Sequence, residues 1–496
     1  MSRTSARDTS RNWHEIYQER RCSPDEAVTD VRSGDVVLLP ITPPILLPPA
    51  LWARRDQLQD VTLRLQNPGS DPGWMQPGME KQFKLEFELY IGDFGRHVMD
   101  ERRAAYLPNL FSLGFKAEHE RPDQANPVDV AMVSISPPDK HGYCHFGPHN
   151  WTKREAVRYA RVAIAEVDPT MIDLYGDIFI HISEFDHIVE YHAPEFTREA
   201  FEALLVGMEP ARASGFLEIA DQVNIQRLAP ITGVIGGVSP EDVKRFLGIT
   251  EPPPEARTMA GYLSEAVPDG ATIQVGTGEP SRLMPALGAF DGKRDLGLHT
   301  ELGAPGLARL VNEGVITGRY KTLHPYKAVA AAWTGCDDND LAIIDGNPVF
   351  ELYPPEYVVH LRTLTQIDNF CAINSGVQID LLGQINSESV FGGRMVNGTG
   401  GQPELMLGGA CSRGGRSILM LPATALSGGV SRIVTQLEAG SLVTVPRFFA
   451  DHVITEYGIA RLWGKNHRQR AEELISIAHP DFRAELRNEA RRLWWP

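Results

Sequence analysis

The sequence has no apolar run of the roughly 18–20 residues that a membrane-spanning helix needs. The most apolar stretch, Ile41 to Ala50, is broken by prolines. The polar, Ser/Arg-rich start, Met1–Arg11, has no apolar core behind it, so a secretory signal is not expected. Cysteine is scarce: five residues in 496, odd in number, scattered, with no CxxC pair. That excludes a disulfide framework and makes a reducing, cytoplasmic setting the expectation. Basic residues are outnumbered, 48 against 64 acidic, for a net charge of −16. Such a balance argues against nucleic acid as a partner but leaves room for a small phosphorylated ligand held locally. No short-period repeat or low-complexity tract appears.

What is present is ordinary globular composition, 42% hydrophobic and 23% charged. A chain of 496 residues exceeds one core and suggests two domains. Short apolar runs alternate with helical patterns. Strand candidates are Val36–Leu39, Val61–Leu65, Val128–Ser134, Val162–Val167, Thr272–Val275, Leu296–Thr300, Leu341–Ile344, Ser417–Leu421 and Leu442–Val445. Most are nearly continuous hydrophobics, as in a sheet buried on both faces, so the pattern predicts an α/β layered fold with mostly parallel sheets. The pattern occurs twice, giving an N-terminal domain over 1–225, an insertion and linker over 226–258 and a C-terminal domain over 259–496. The stretch Phe196–Lys244 has its own helical pattern and a glycine-rich piece, Gly233–Gly237. Phe482–Trp495 reads as a charged helix ending in two tryptophans that pack on a neighbouring surface.

The most informative segment is Ala271–Leu287. A strand runs into Gly276-Thr-Gly278 and then into an expected helix, whose first amides would face a ligand. A second strand ends in the carboxylate of Glu301. Three readings compete. A dinucleotide site would place Glu301 on a ribose, but Ser281 stands where the third glycine belongs. The glycines alternatively form only a tight turn, with Glu301 an ordinary strand-end residue. In the third reading, Glu301 attacks an acyl group at the carboxyl ends of the strands. Glycine clusters later in the chain, Asn397–Gln402 and Gly408–Arg416, offer backbone donors for the oxyanions of such a reaction, or serve only as loops.

Ser136–Tyr143, Leu296–Glu301, Asn397–Gln402, Ser431–Leu437, Val453–Ala460 and Ile477–Phe482 resemble, in order, signatures of the acetyl-CoA hydrolase/transferase family, whose branches include the 4-hydroxybutyrate and butyrate CoA-transferases. The resemblance runs from Trp13–Tyr17 to the C-terminus. It implies two tandem open α/β/α domains of the CoA-transferase superfamily type with the site between them. It implies Glu301 as the catalytic residue, CoA binding at Gly278, Glu279, Pro280, Ser281 and Arg282, and a mobile loop at Gly400 and Gly401 closing on the thioester. Arg413 takes the place of a family lysine and joins the CoA-binding set. The implied chemistry is ping-pong, through a glutamyl-CoA thioester, with coenzyme A as co-substrate and no metal or resident cofactor. Acyl-CoA and carboxylic acids are the implied partners, without nucleic acid or membrane, and the implied assembly is a homodimer or homotetramer.

The chain departs from the family in the turn Gly276–Ser281, in Leu302–Gly306 after the catalytic residue, and in Pro-rich Thr42–Pro49. These departures suggest an acyl pocket of its own. An acyl-CoA hydrolase using the same Glu301 and a silent CoA-binding protein are the alternatives. His141, Cys144, His145 and His149 invite a metal reading, set aside for a pocket-lining or structural role. Glu388 and Glu456 read as supporting carboxylates. Lys327 and Arg432 meet either CoA phosphates or salt-bridge partners. His299 shares a strand face with Glu301 and either orients it or belongs to the core.

Overall fold

The apolar runs become two largely parallel sheets in the computed structural model, which describes residues 11–67, 71–89, 95–192, 196–223, 225, 228, 235, 238–247, 249–390 and 392–495. The first sheet contains β1 (Val36–Leu39), β2 (Val61–Leu65), β3 (Phe83–Phe87), β4 (Ala104–Tyr106), β5 (Val130–Ile135), β6 (Val162–Val167) and β7 (His187–Glu190). Their order is β7-β6-β5-β1-β2-β3-β4, with every neighbouring pair parallel. All of β5 and β6 is buried, as the continuous apolar runs require.

The second sheet contains β8 (Thr272–Val275), β9 (Gly297–Leu302), β10 (Ala328–Ala332), β11 (Phe350–Leu352), β12 (Phe370–Ser375), β13 (Arg416–Met420), β14 (His452–Thr455) and β15 (Gly458–Arg461). Its order is β15-β14-β13-β12-β8-β9-β10-β11, and the short strand Tyr175–Gly176 from the first half adds to β11. Only β14 and β15 pair antiparallel. Chain order reverses between β8 and β12. In open α/β sheets, the crevice beyond the strand ends at such a reversal is where ligands sit.

The two domains share a core. Leu89, Phe111 and Trp151 of the first pack with Val329, Ala331, Phe370, Ala372 and Leu405 of the second. Backbone bonds reinforce this seam, Asn150 N–H to Ala331 O at 3.1 Å and Trp333 N–H to Pro148 O at 2.7 Å.

Several expectations need correction. Leu341–Ile344 is not a strand but the end of helix Asp338–Ile344, which starts where Asp337 caps the Asp340 amide at 2.9 Å. Leu442–Val445 makes only an isolated bridge, Val445 to Ile385, and Pro446 ends it. No regular helix follows Gly278. A single 3₁₀ turn, Ser281–Leu283, stands there, and Pro285 lacks the amide that would continue it. Phe196–Lys244 does form helices, Arg198–Leu204, Pro210–Gln222 and the start of Pro240–Leu247, around their own apolar cluster with Phe201, Phe216 and Ile219. The piece Gly233–Gly237, apart from Ile235, lies outside the described residues, as does Met1–Ser10. The C-terminal helix runs Pro480–Trp494, and both Trp494 and Trp495 pack against the core beside β14.

Candidate active site

Glu301 stands at the end of β9. The first four residues of that strand are buried, and the last two, Glu301 and Leu302, emerge into a cleft. The cleft, of about 260 Å³, lies at the reversal point: Gln274–Glu279 span the end of β8 and the turn after it, Asn374–Val377 end β12, and Asn397–Gln402 cover it. Leu89 comes from the first domain, and Arg432 adds a cation to the lining. A wider, shallower depression of about 660 Å³ is bounded by Ser33, Gly34, Gln59, Asp60 and Glu80–Gln82. It sits at the amino ends of β1–β3, away from the strand ends where chemistry collects in this architecture.

Gly401 caps helix Gln402–Cys411, and its amide bonds the Glu301 carboxylate. The helix thus delivers the backbone donor that the expected helix after Gly278 does not. Glu301 keeps some accessible surface on the cleft, but protein surrounds its carboxylate. Burial, with the nearby charge of Glu404, pushes its pKa up to about 8, against the lowering effect of the Gly401 bond. Glu404, in the first turn of the same helix, accepts from the Ser112 amide at 3.3 Å, and burial raises its own pKa. Burial penalises a carboxylate but not the neutral ester-like forms it can become, so this environment favours an acylated side chain.

The turn Gly276–Ser281 is stitched to β12. Ser375 Oγ donates to Gly278 O at 3.0 Å and accepts from Ser281 N–H at 3.1 Å, while Ser281 Oγ lies 2.8 Å from Gly278 O. Gln402 Nε2 donates to Ser375 O at 2.9 Å, tying the turn to the covering helix. Gly278 and Glu279 are exposed at the rim, and Pro280 and Ser281 are buried beneath it. Arg282 lies just behind, half-buried; burial pulls its pKa down, opposed by the charge of Glu279. On the floor, Asn374 Nδ2 donates to Gln274 Oε1 at 3.0 Å and Gln274 Nε2 returns a bond at 3.3 Å.

Arg432 donates to Thr424 O and Val377 O, both at 3.2 Å. It is thus tethered at the cleft by carbonyls and keeps its charge. Arg413 is elsewhere. It precedes β13, at the amino ends of the strands, with an 85% exposed side chain ion-paired to Asp368. The cleft does not include it. Lys327 pairs with Glu351 at 2.9 Å. Glu456 accepts from the Ala423 amide at 2.9 Å, and Glu388 accepts from Thr399 and Thr444 hydroxyls. His299 is fully buried and donates through Nε2 to Val358 O at 2.8 Å, not to Glu301. His145 Nδ1 and His149 Nδ1 accept local amides of Gly147 and Trp151. Among the described residues, no group of three or more His, Cys, Asp or Glu is placed to hold a metal ion, and no helix is long and apolar enough to cross a membrane. All five cysteines are free.

This geometry has close counterparts. The acetyl-CoA hydrolase/transferase N-terminal domain matches residues 3–196, and the C-terminal domain of the same family matches 339–490. The 4-hydroxybutyrate coenzyme A transferase of Clostridium kluyveri is 33% identical over 97% of this chain and 99% of its own. The chain belongs to the acetyl-CoA hydrolase/transferase family. A succinyl-CoA:cyclohexane-1-carboxylate CoA transferase from Geobacter metallireducens is 32% identical over 99% of both chains. Among solved structures, RipA from Yersinia pestis superposes with a TM-score of 0.77 at 27% identity, covering 98% of this chain and 100% of that one. Within this family's frame, Asn374, Ser375, Glu404 and Leu89 were not singled out by sequence reasoning. Asn374 and Ser375 end β12, a run that is not among the strand candidates, and Leu89 carries no local signal at all.

Proposed function

We propose that this protein transfers coenzyme A from an acyl-CoA to a carboxylic acid through a covalent intermediate on Glu301. The observation that carries the reading is the Glu301 carboxylate at the strand end, held in the cleft by the Gly401 amide with its pKa pushed up to about 8. Ionised Glu301 attacks the thioester carbonyl. The C–S bond breaks, leaving a mixed anhydride and CoA thiolate. The thiolate attacks Glu301 Cδ, the anhydride C–O bond breaks, and the first acid leaves as its carboxylate. Glu301 now carries CoA as a thioester. An incoming carboxylate attacks the same Cδ and expels the thiolate, which then takes the new acyl group and frees Glu301.

Each attack on Cδ puts negative charge on a Glu301 oxygen, against which Gly401 lies. One such donor is worth about 10²–10³ in rate. The turn Gly276–Ser281 and Arg432 line the path by which a pantetheine arm would reach Glu301. Family relatives named as CoA transferases across nearly the full chain support the reading.

Mass spectrometry after mixing the protein with an acyl-CoA and trapping with hydroxylamine tests it. A modified peptide carrying Glu301 is expected, with loss of both adduct and turnover in Glu301→Gln. Turnover that needs no added acid would point instead to hydrolysis through the same carboxylate. Undiminished CoA transfer by Glu301→Gln would overturn the assignment.

A further inference from the structure

The loop that brings Gly401 to Glu301 belongs to the second domain but is seated on the first. Tyr106 closes β4, the edge strand of the first sheet. Thr399 N–H donates to Tyr106 Oη at 3.0 Å, and Tyr106 Oη lies 3.1 Å from Thr399 Oγ1. The Thr399 hydroxyl has one proton, and it goes to Glu388 Oε1 at 2.6 Å. Tyr106 therefore donates to Thr399 Oγ1 while accepting from the Thr399 amide, and both bonds are directional.

The far side of this chain is fixed as well. Glu388 is buried, its Oε2 accepts from Thr444 Oγ1 at 2.7 Å, and its carbonyl accepts the Val396 amide at 2.7 Å. Arg96 donates to Val396 O at 2.9 Å, and Arg394 pairs with Asp100, so the approach to the loop is docked on the first domain too. Gly398 lies against Leu89 and the Tyr106 ring. Two residues beyond Thr399 stands Gly401. Gly400 between them has φ +62° and no neighbour within 4 Å of an added Cβ, so it offers no packing to hold the turn.

We propose that Tyr106 is a positioning residue: its paired bonds to Thr399 set the Gly400–Gly401 turn and hold the Gly401 N–H on Glu301, so the reacting carboxylate is complete only when the two domains are docked. The inference rests on the CoA-transfer reading above and adds a residue 195 positions from Glu301 in sequence to its machinery.

Tyr106→Phe keeps the ring on Gly398 and deletes both bonds. The expected result is a kcat lowered about 10- to 100-fold with KM for acyl-CoA and acid nearly unchanged, because one aligned donor is lost in the transition state rather than a binding contact. Thr399→Val reproduces the loss, and Thr399→Ser, which restores the hydroxyl, recovers most of it. A second measurement needs no turnover. The infrared difference between protein with and without Glu301→Gln, titrated in the wild-type and Tyr106→Phe backgrounds, reads the ionisation midpoint of Glu301. Loss of the Gly401 bond moves that midpoint up, by roughly one pH unit. A lowered Tm with unmoved midpoint and kcat would mean that Tyr106 is only structural, overturning the proposal. Failure of wild-type protein to form any Glu301 adduct would sink the transfer reading instead, and the infrared titration would still decide the role of Tyr106.

Discussion

Gly401 and Glu301 occupy adjoining space so closely that a Cβ built on Gly401 would overlap Glu301 Oε2 and lie 2.9 Å from its Cδ. The backbone of Gly401 is ordinary, φ −81°, so alanine there meets no conformational penalty. What it meets is the carboxylate. Gly401→Ala is expected to fold with a near-normal Tm and to lose about 100-fold or more in kcat, because the carboxylate must turn off its donor. Gly400→Ala reverses the pattern. Its φ of +62° costs an alanine about 1–2 kcal/mol, with open space around the new methyl. Thermal melts and steady-state rates on the pair separate the two effects.

The pKa of Glu301, pushed up to about 8, sets a pH dependence. The nucleophile is the ionised form, so kcat/KM is expected to rise with pH through a limb centred near that value. The charge of Glu404 contributes to the rise, so Glu404→Gln moves the limb to lower pH. Stability runs the other way. A carboxyl whose folded pKa exceeds its unfolded one stabilises the fold most below the unfolded value, and that contribution is lost as pH climbs from the ordinary carboxylate range through about 8. Compared with Glu301→Gln, the wild type therefore loses Tm between pH 5 and pH 9. Parallel melts of the two proteins at those pH values check it, and an equal Tm difference at both ends would contradict the raised pKa.

Ser375 joins β12 to the turn Gly276–Ser281 through two bonds of 3.0 and 3.1 Å. Ser375→Ala leaves the Ser281 amide without that acceptor and loosens the turn at the rim. The expected effect is a KM for acyl-CoA raised about 3- to 10-fold with kcat less affected, as for a contact made equally before and during reaction. Isothermal titration with free CoA should show the same factor, and a loss in kcat alone would place Ser375 with the chemistry instead.

Much of this arrangement was legible in the sequence, for identifiable reasons. Continuous apolar runs such as Val162–Val167 can be satisfied only by a covered parallel sheet, and β6 matches that run residue for residue. The pattern set Glu301 at a strand end after a glycine turn but left three readings open, and the family resemblance singled it out as the catalytic candidate. Apolar content alone misled at Leu341–Ile344, where the acidic run Asp337–Asp340 was a start signal for a helix. Tyr106 and Thr399 were illegible because their bond spans 293 positions and leaves no local periodicity. Arg413 was assigned to the CoA path because it takes the place of a family lysine, but it lies at the amino end of β13, opposite the cleft.

That contrast yields a last prediction. Arg432 lines the cleft, half-buried, and donates to two neutral carbonyls, Thr424 O and Val377 O. Burial lowers its pKa, and the charge of Glu456 partly opposes this. A guanidinium in that setting favours an anionic or carbonyl-rich ligand arm, so Arg432→Gln is expected to raise KM for acyl-CoA about 10-fold. Arg413 is fully solvated and paired with Asp368, an interaction that solvent screens to little consequence. Arg413→Gln is therefore expected to leave KM within about twofold, as surface substitutions usually do. Replacing acyl-CoA with acyl-pantetheine, which lacks the phosphates, refines the comparison. If Arg432 meets phosphate, its substitution costs nothing further with the truncated thioester. If it meets the pantetheine carbonyls, the cost persists. Equal effects of the two arginine substitutions on acyl-CoA would show that the ligand does not follow the cleft between β8 and β12.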